Sequence, residues 1–219
     1  MSKTNTKAFV FGALGLAAAA AAVTLLPMER ATAQGPNNDP PQVWDAFGGN
    51  QQAQKFSTAT QITPDNVRNL KKAWDFHTGD VSSGAHSTTW GATPLFVNDT
   101  VYIGTPMYNI FALEPDSGKL KWKYAAAGNR QLENQGLKNR GVAYWENEKK
   151  TERRILFGTV DGRLIALNAD DGKVVTRFGA NGFVDLRAGG ADKFKQDPSW
   201  GARVTSPPVV FKNLVIVGW

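Results

Sequence analysis

The sequence has 219 residues, 42% hydrophobic and 20% charged, with 22 Gly and 11 Pro, a balance that excludes disorder and collagen-like repetition. Seven Trp and an aromatic fraction of 11%, with Gly and Pro interrupting the chain every few residues, point to many short strands rather than a helical bundle. There is no Cys and the formal net charge is +6, so a disulfide framework, thiolate metal sites, a Cys nucleophile and acylation at cysteine are excluded together.

At the N-terminus, Lys3 and Lys7 precede an apolar run from Ala8 to Leu26, and Ala31-Thr32-Ala33 follows it. That order predicts a cleaved secretory signal over residues 1–33 and export to the periplasm. The alternative is an uncleaved membrane anchor, since the run approaches the roughly 20 residues that span a bilayer. Cleavage would remove Lys3, Lys7, Arg30 and Glu29, leaving 22 basic and 18 acidic residues on a chain of 186. No cluster of Lys and Arg interleaves with aromatics, so the remaining charge reads as scattered and solvated, and nucleic-acid binding is not expected.

Residues 34–43 are rich in Pro and Asn and read as an extended lead-in, with folded structure starting near Trp44. Residues 63–70 predict one or two helical turns: Thr63 as cap, Pro64 at the first helical position, Asp65 at the positive end. Beyond them the chain repeats itself. Val101-Tyr102-Ile103-Gly104-Thr105, Ile110-Phe111-Ala112-Leu113 and Asp116-Ser117-Gly118-Lys119 return as Ile155-Leu156-Phe157-Gly158-Thr159, Leu164-Ile165-Ala166-Leu167 and Asp170-Asp171-Gly172-Lys173. Gly104, Thr105, Ala112, Leu113, Gly118 and Lys119 all recur at an offset of 54. A third copy opens at the end, where Pro208 and Gly218 match the spacing of Pro94 and Gly104.

A period in the fifties, built of short strands and Asp-Gly or Ser-Gly turns, fits the four-stranded blade of a β-propeller. One blade cannot bury both faces alone, so neighbours must stack and the ring must close. Residues 44–219 hold about three such units, whereas propellers commonly need four to eight. The fold class expected is therefore all-β, a partial β-propeller, and the chain is expected to be the N-terminal piece of a longer protein.

Few motifs carry chemistry by themselves. His77 and His86 lack metal-ligand spacing and read as ordinary histidines. The stretch Asn168-Ala169-Asp170-Asp171-Gly172 lacks the closing Glu of a calcium loop and reads as a hairpin turn, as does Asp161-Gly162. No phosphate-binding loop, dinucleotide fingerprint or nucleophile elbow is present. Arg140, between Asn139 and Gly141 at the entry to an aromatic strand, marks a place where a loop meets a sheet; a surface role and a binding role both remain open for it.

Three stretches resemble one family. Trp44-Asp45-Ala46-Phe47-Gly48-Gly49-Asn50, together with Lys55-Phe56-Ser57, Gln61-Ile62-Thr63 and Ala73-Trp74, is similar to the opening of the pyrroloquinoline-quinone (PQQ)-dependent dehydrogenases. Asn139-Arg140-Gly141-Val142-Ala143-Tyr144-Trp145 resembles a second motif of that family, and Ala112-Leu113-Glu114-Pro115-Asp116-Ser117-Gly118-Lys119-Leu120-Lys121-Trp122 resembles the docking motif that staples the blades of its eight-bladed propeller. The resemblance runs through residues 44–219 in order. It implies that Arg140 and Thr205 bind the quinone cofactor, and a guanidinium suits a tricarboxylate because it is permanently charged and bidentate. For Thr205 the bland alternative is a strand-edge residue beside a turn.

Departures narrow the branch. Asn134 and Gln135 stand where the alcohol-oxidising members carry adjacent cysteines, which favours the glucose, polyol or quinate branch; Trp90-Gly91-Ala92 occupies the stretch of an acidic cofactor contact, and Met107 stands where the membrane glucose enzymes carry a histidine, which tells against that particular type. The resemblance then implies a glucose, polyol or quinate type of enzyme: an exported dehydrogenase oxidising a sugar or polyol alcohol to a carbonyl and passing electrons to a respiratory acceptor, a quinone or cytochrome, with room for peripheral membrane association. Ca2+ is implied as second cofactor, with its ligands and the catalytic base beyond residue 219, so no metal ligand or catalytic residue is expected in this stretch and the stretch alone is expected to be inactive. The alternative is a non-catalytic exported propeller scaffold of the outer-membrane assembly type, which accounts for the repeat without Arg140.

Overall fold

Two runs of sequence separated by 54 residues fold into two copies of one antiparallel sheet. The computed structural model describes residues 43–83, 87–125, 138–188 and 203–218, and the expectations for residues 1–33 and 34–42, for His86 and for Asn134 and Gln135 lie outside them. The described residues fall within the unit Asp39–Trp219. In chain order, β1 (Thr89–Trp90) leads into a sheet of β2 (Leu95–Phe96), β3 (Val101–Gly104), β4 (Ile110–Leu113) and β5 (Leu120–Tyr124). β6 (Lys138–Asn139) leads into a second sheet of β7 (Ala143–Glu146), β8 (Arg153–Gly158), β9 (Arg163–Asn168) and β10 (Phe183–Asp185). β11 (Val209–Phe211) and β12 (Leu214–Ile216) form a hairpin. Registers coincide between copies: Tyr102 lies opposite Ala112, and Leu156 opposite Ala166.

Side chains alternate across a strand, and here both faces are covered. β4 is buried at all four positions. Leu95, Ile110 and Trp122 of the first sheet share one core with Val142, Ile155 and Phe157 of the second. On the far side of the second sheet, Ala143, Leu156 and Ala166 pack against Val210 and Val215 of the hairpin. The second sheet thus buries its two apolar faces between the first sheet and the hairpin, which is the stacking the period predicts.

The repeated turns form the staples. In both, the first residue's N–H reaches the last residue's carbonyl, Glu114 to Lys119 at 2.8 Å and Asn168 to Lys173 at 2.7 Å, and the glycine N–H returns to the first carbonyl at 2.9 Å. Gly118 and Gly172 have φ of 67° and 71°, a conformation that glycine adopts without steric cost. Each bare glycine also receives an indole: an added Cβ would lie 2.5 Å from Trp74 Cε3 at Gly118 and 2.5 Å from Trp122 Cε3 at Gly172. The indole N–H groups donate to the carbonyls of Pro115 (2.7 Å) and Ala169 (2.9 Å). A residue such as Trp122, on the last strand of one sheet, is thereby locked to the turn of the next.

One local expectation is corrected. Residues 63–70 form a turn followed by a single 3-10 turn, Val67–Asn69, in which no side chain caps an N–H. Thr63 contributes its carbonyl to the N–H of Val67 at 2.9 Å, while its own N–H donates to Asn66 Oδ1 at 2.7 Å. Residues 51–73 are exposed throughout, so no packed apolar face offsets the cost of nucleating a longer helix.

Candidate cofactor-binding site

Three segments enter the first strands of the three sheet units, residues 89–93, 138–141 and 203–206, and they run side by side. β1 and β6 pair in parallel, Thr89 opposite Lys138 and Trp90 opposite Asn139. The N–H of Thr93 donates to the carbonyl of Arg140 at 3.2 Å, and the N–H of Arg140 donates to the carbonyl of Thr205 at 3.0 Å.

The repeated glycines seat these segments. Gly104 and Gly158 end β3 and β8, and a Cβ at Gly104 would lie 2.9 Å from Asn139 Nδ2 while one at Gly158 would lie 2.1 Å from Val204 Cγ1. Asn139 and Val204 are each almost wholly buried. Because successive side chains point to opposite faces, sinking these two turns the next two, Arg140 and Thr205, to the open side. There they meet: Arg140 Nη1 donates to Thr205 Oγ1 at 2.7 Å and lies 3.5 Å from Ser206 Oγ. The two residues singled out in the sequence are thus brought into contact across 65 positions of chain.

Local chemistry suits an anion. Gly91 is exposed, and a Cβ placed on it would lie 3.7 Å from Arg140 Cγ and 4.0 Å from Lys138 Cε, so two cationic side chains flank a position without a side chain. Residues 87–93, 138–141 and 203–206 contain no Asp or Glu, and neither Lys138 nor Arg140 forms an ion pair among the described residues. Asn139 fixes the loop from below: its Oδ1 accepts the N–H of Gly141 at 2.9 Å, and Gly141 has a φ of 136°, which a β-carbon would oppose. The Asn139 Nδ2 atom, buried beside Gly104, has no partner among the described residues.

Reasoning from sequence missed Tyr108. It lies fully buried with φ of 61°, and its hydroxyl donates to the carbonyls of Lys138 (2.9 Å) and Val204 (3.3 Å). Burial pushes the phenol up to about 12. Asp80, buried as well, accepts from Thr105 Oγ1 at 2.5 Å and Asn109 Nδ2 at 2.8 Å and so holds the turn that carries Tyr108. A signal did exist: Tyr108 occupies the position of Gly162 in the second copy. Met107 packs with Tyr108 and Val160, an apolar contact. His77 is exposed, in keeping with an ordinary surface histidine. Among the described residues no group of three or more His, Cys, Asp or Glu could hold a metal ion.

Comparison with known proteins places the chain. The model of the family described as glucose/ethanol/alcohol dehydrogenase, PQQ β-propeller domain, matches residues 44–219. Over 191 residues, 81% of this chain and 23% of the relative, it is 38% identical to the quinoprotein glucose dehydrogenase of Escherichia coli. It is 36% identical to the quinate/shikimate dehydrogenase (quinone) of Acinetobacter baylyi, covering 80% of this chain and 24% of that one. Among solved structures, the quinohemoprotein alcohol dehydrogenase of Comamonas testosteroni superposes with a TM-score of 0.63 at 27% identity, over 84% of this chain and 24% of that one. Glucose, quinate and glycerol dehydrogenases are among the matched relatives, and the chain spans about a quarter of their length.

Proposed function

The chain belongs to the PQQ β-propeller family of glucose, ethanol and alcohol dehydrogenases, and from that premise we propose that its three approach segments hold the carboxylates of the quinone in an exported dehydrogenase oxidising a sugar or polyol alcohol. The observation that carries this is the contact of Arg140 with Thr205, with Lys138 nearby, on segments that contain no Asp or Glu. Arg140 supplies a fixed planar fork for one carboxylate, Thr205 and Ser206 supply hydroxyls, and Lys138 adds a mobile positive charge. The backbone bonds from Thr93 to Arg140 and from Arg140 to Thr205 set the spacing of these donors before the ligand arrives, so less ordering is needed on binding.

When bound, the quinone supplies the redox chemistry by taking two electrons and two protons from an alcohol carbon and its hydroxyl; the chain orients it and offsets its charge. Ca2+ is proposed as the second component, with ligands after residue 219. Electrons are proposed to pass to a respiratory quinone or cytochrome, and the N-terminal pattern of residues 1–33 supports a periplasmic location.

Titration of the full-length protein, prepared without PQQ, tests the reading. Arg140→Ala should weaken binding by about 1.5 to 3 kcal/mol, the scale of a lost charge-assisted contact, and dye-linked alcohol or sugar oxidation should appear on adding PQQ with Ca2+. Unchanged affinity in that variant removes Arg140 from the site.

A further inference from the structure

We infer that Tyr108 is a positioning residue: its buried hydroxyl ties the Arg140 segment to the Thr205 segment and so sets the spacing of the two groups that receive the cofactor. This rests on the proposed role of Arg140 and Thr205.

The comparison of the two copies exposes it. The turn after β3 and the turn after β8 close alike, with the N–H of Thr105 donating to Asn109 and that of Thr159 donating to Arg163, both at 2.9 Å. Their fourth residues are both left-handed, Tyr108 at φ 61° and Gly162 at φ 78°. A glycine there costs nothing sterically, whereas a bulky side chain in that region is an outlier. An observed outlier held in place by its surroundings asks what the side chain does.

Here the ring reaches beyond its own sheet. The two carbonyls that share its hydroxyl belong to Lys138, two residues before Arg140, and to Val204, one residue before Thr205. Those segments are 66 residues apart in sequence at these carbonyls, and each also enters the sheet stack over its own glycine, Gly104 or Gly158. One phenol therefore spans both sinks. The bond to Val204 is buried and that to Lys138 partly so, and a buried carbonyl needs a donor; without the hydroxyl the two segments keep the backbone bond from Arg140 to Thr205 but lose their shared anchor at the residues just before it. A displacement there changes the separation of the Arg140 guanidinium and the Thr205 hydroxyl without removing either.

Tyr108→Phe keeps the ring and deletes the donor. In full-length protein without cofactor, equilibrium binding of PQQ is measured for Tyr108→Phe, Arg140→Ala and the double variant, and amide exchange is followed at Arg140 and Val204. The inference expects faster exchange at both amides, about fivefold weaker PQQ binding in Tyr108→Phe, the scale of one net hydrogen bond, and no further loss when it is added to Arg140→Ala. A purely structural role would lower thermal stability yet leave affinity unchanged, or would add in full to Arg140→Ala; either result, with Arg140→Ala itself weakened, overturns the inference. If Arg140→Ala binds PQQ normally, the cofactor reading fails instead, and the exchange data still judge the staple. Tyr108→Met gives a second donor-free variant should the phenylalanine ring prevent folding.

Discussion

The docking turns and the approach segments are both repeated, and they differ in what is repeated. Turns 114–119 and 168–173 share side chains as well as path: the same Gly at positive φ, the same Lys, and an indole against each glycine. The approach segments share path alone. Ala92, Arg140 and Ser206 or their neighbours enter by the same backbone route, tied N–H to carbonyl across the three segments, with different chemistry at each. Identity between copies marks what every sheet needs in order to stack; disagreement between copies marks what the molecule needs once. Arg140, Lys138 and Tyr108 belong to the second group.

Substitutions should separate the two regions. The largest effect is expected at the staple. Trp122→Ala deletes a buried indole and its bond to Ala169 and should cost about 3 to 5 kcal/mol in urea unfolding of full-length protein. Trp74→Ala, at a less buried site, should cost less, and the order of the two variants checks the packing argument. Gly158→Ala comes next, because its Cβ would lie 2.1 Å from Val204 Cγ1. Overpacking of this sort costs about 1 to 3 kcal/mol, and by moving the Thr205 segment it should also weaken PQQ binding, which links the two regions. Retained affinity in a destabilised Gly158→Ala protein would show that the seat does not set the site.

Smaller effects lie at the open face. Lys138→Met should leave stability unchanged and weaken PQQ binding about threefold at low salt, the scale of an exposed charge contact. The loss should vanish at high ionic strength, because exposed charges are screened. A salt-independent loss would assign Lys138 a packing role. The least effect concerns pH. Since the Tyr108 phenol titrates at about 12 in the fold against about 10 in an unfolded chain, the folded state holds its proton longer. Stability from this group is complete below pH 10 and falls as pH rises toward 12. Tyr108→Phe should flatten that part of the stability curve relative to the parent; an equal decline in both proteins would contradict the burial of the hydroxyl.

How much the sequence disclosed follows from the length scale of each cause. The repeat at 54 residues, the turn glycines and the alternating strands are local patterns, and they led directly to stacked four-stranded sheets. Residues 63–70 form only a single 3-10 turn because capping residues are a local signal whereas burial is not. Arg140 and Thr205 can be named together only through resemblance, since their contact spans 65 positions of chain and lies outside any regular strand pairing. Tyr108 was legible in principle as a tyrosine in a glycine's place, yet nothing local says which carbonyls it reaches. Nothing in the local pattern distinguishes Lys138 from solvated charge, since its neighbour Gly91 lies 47 residues away in the chain.

A crystal structure of the full-length protein with PQQ bound tests the central claim most directly. The account predicts a quinone carboxylate on the Arg140 guanidinium with Thr205 Oγ1 within hydrogen-bonding distance of the same ligand, and the Tyr108 hydroxyl still on the carbonyls of Lys138 and Val204. A quinone seated elsewhere, with Arg140 bonded to Thr205 as it is here, would contradict it.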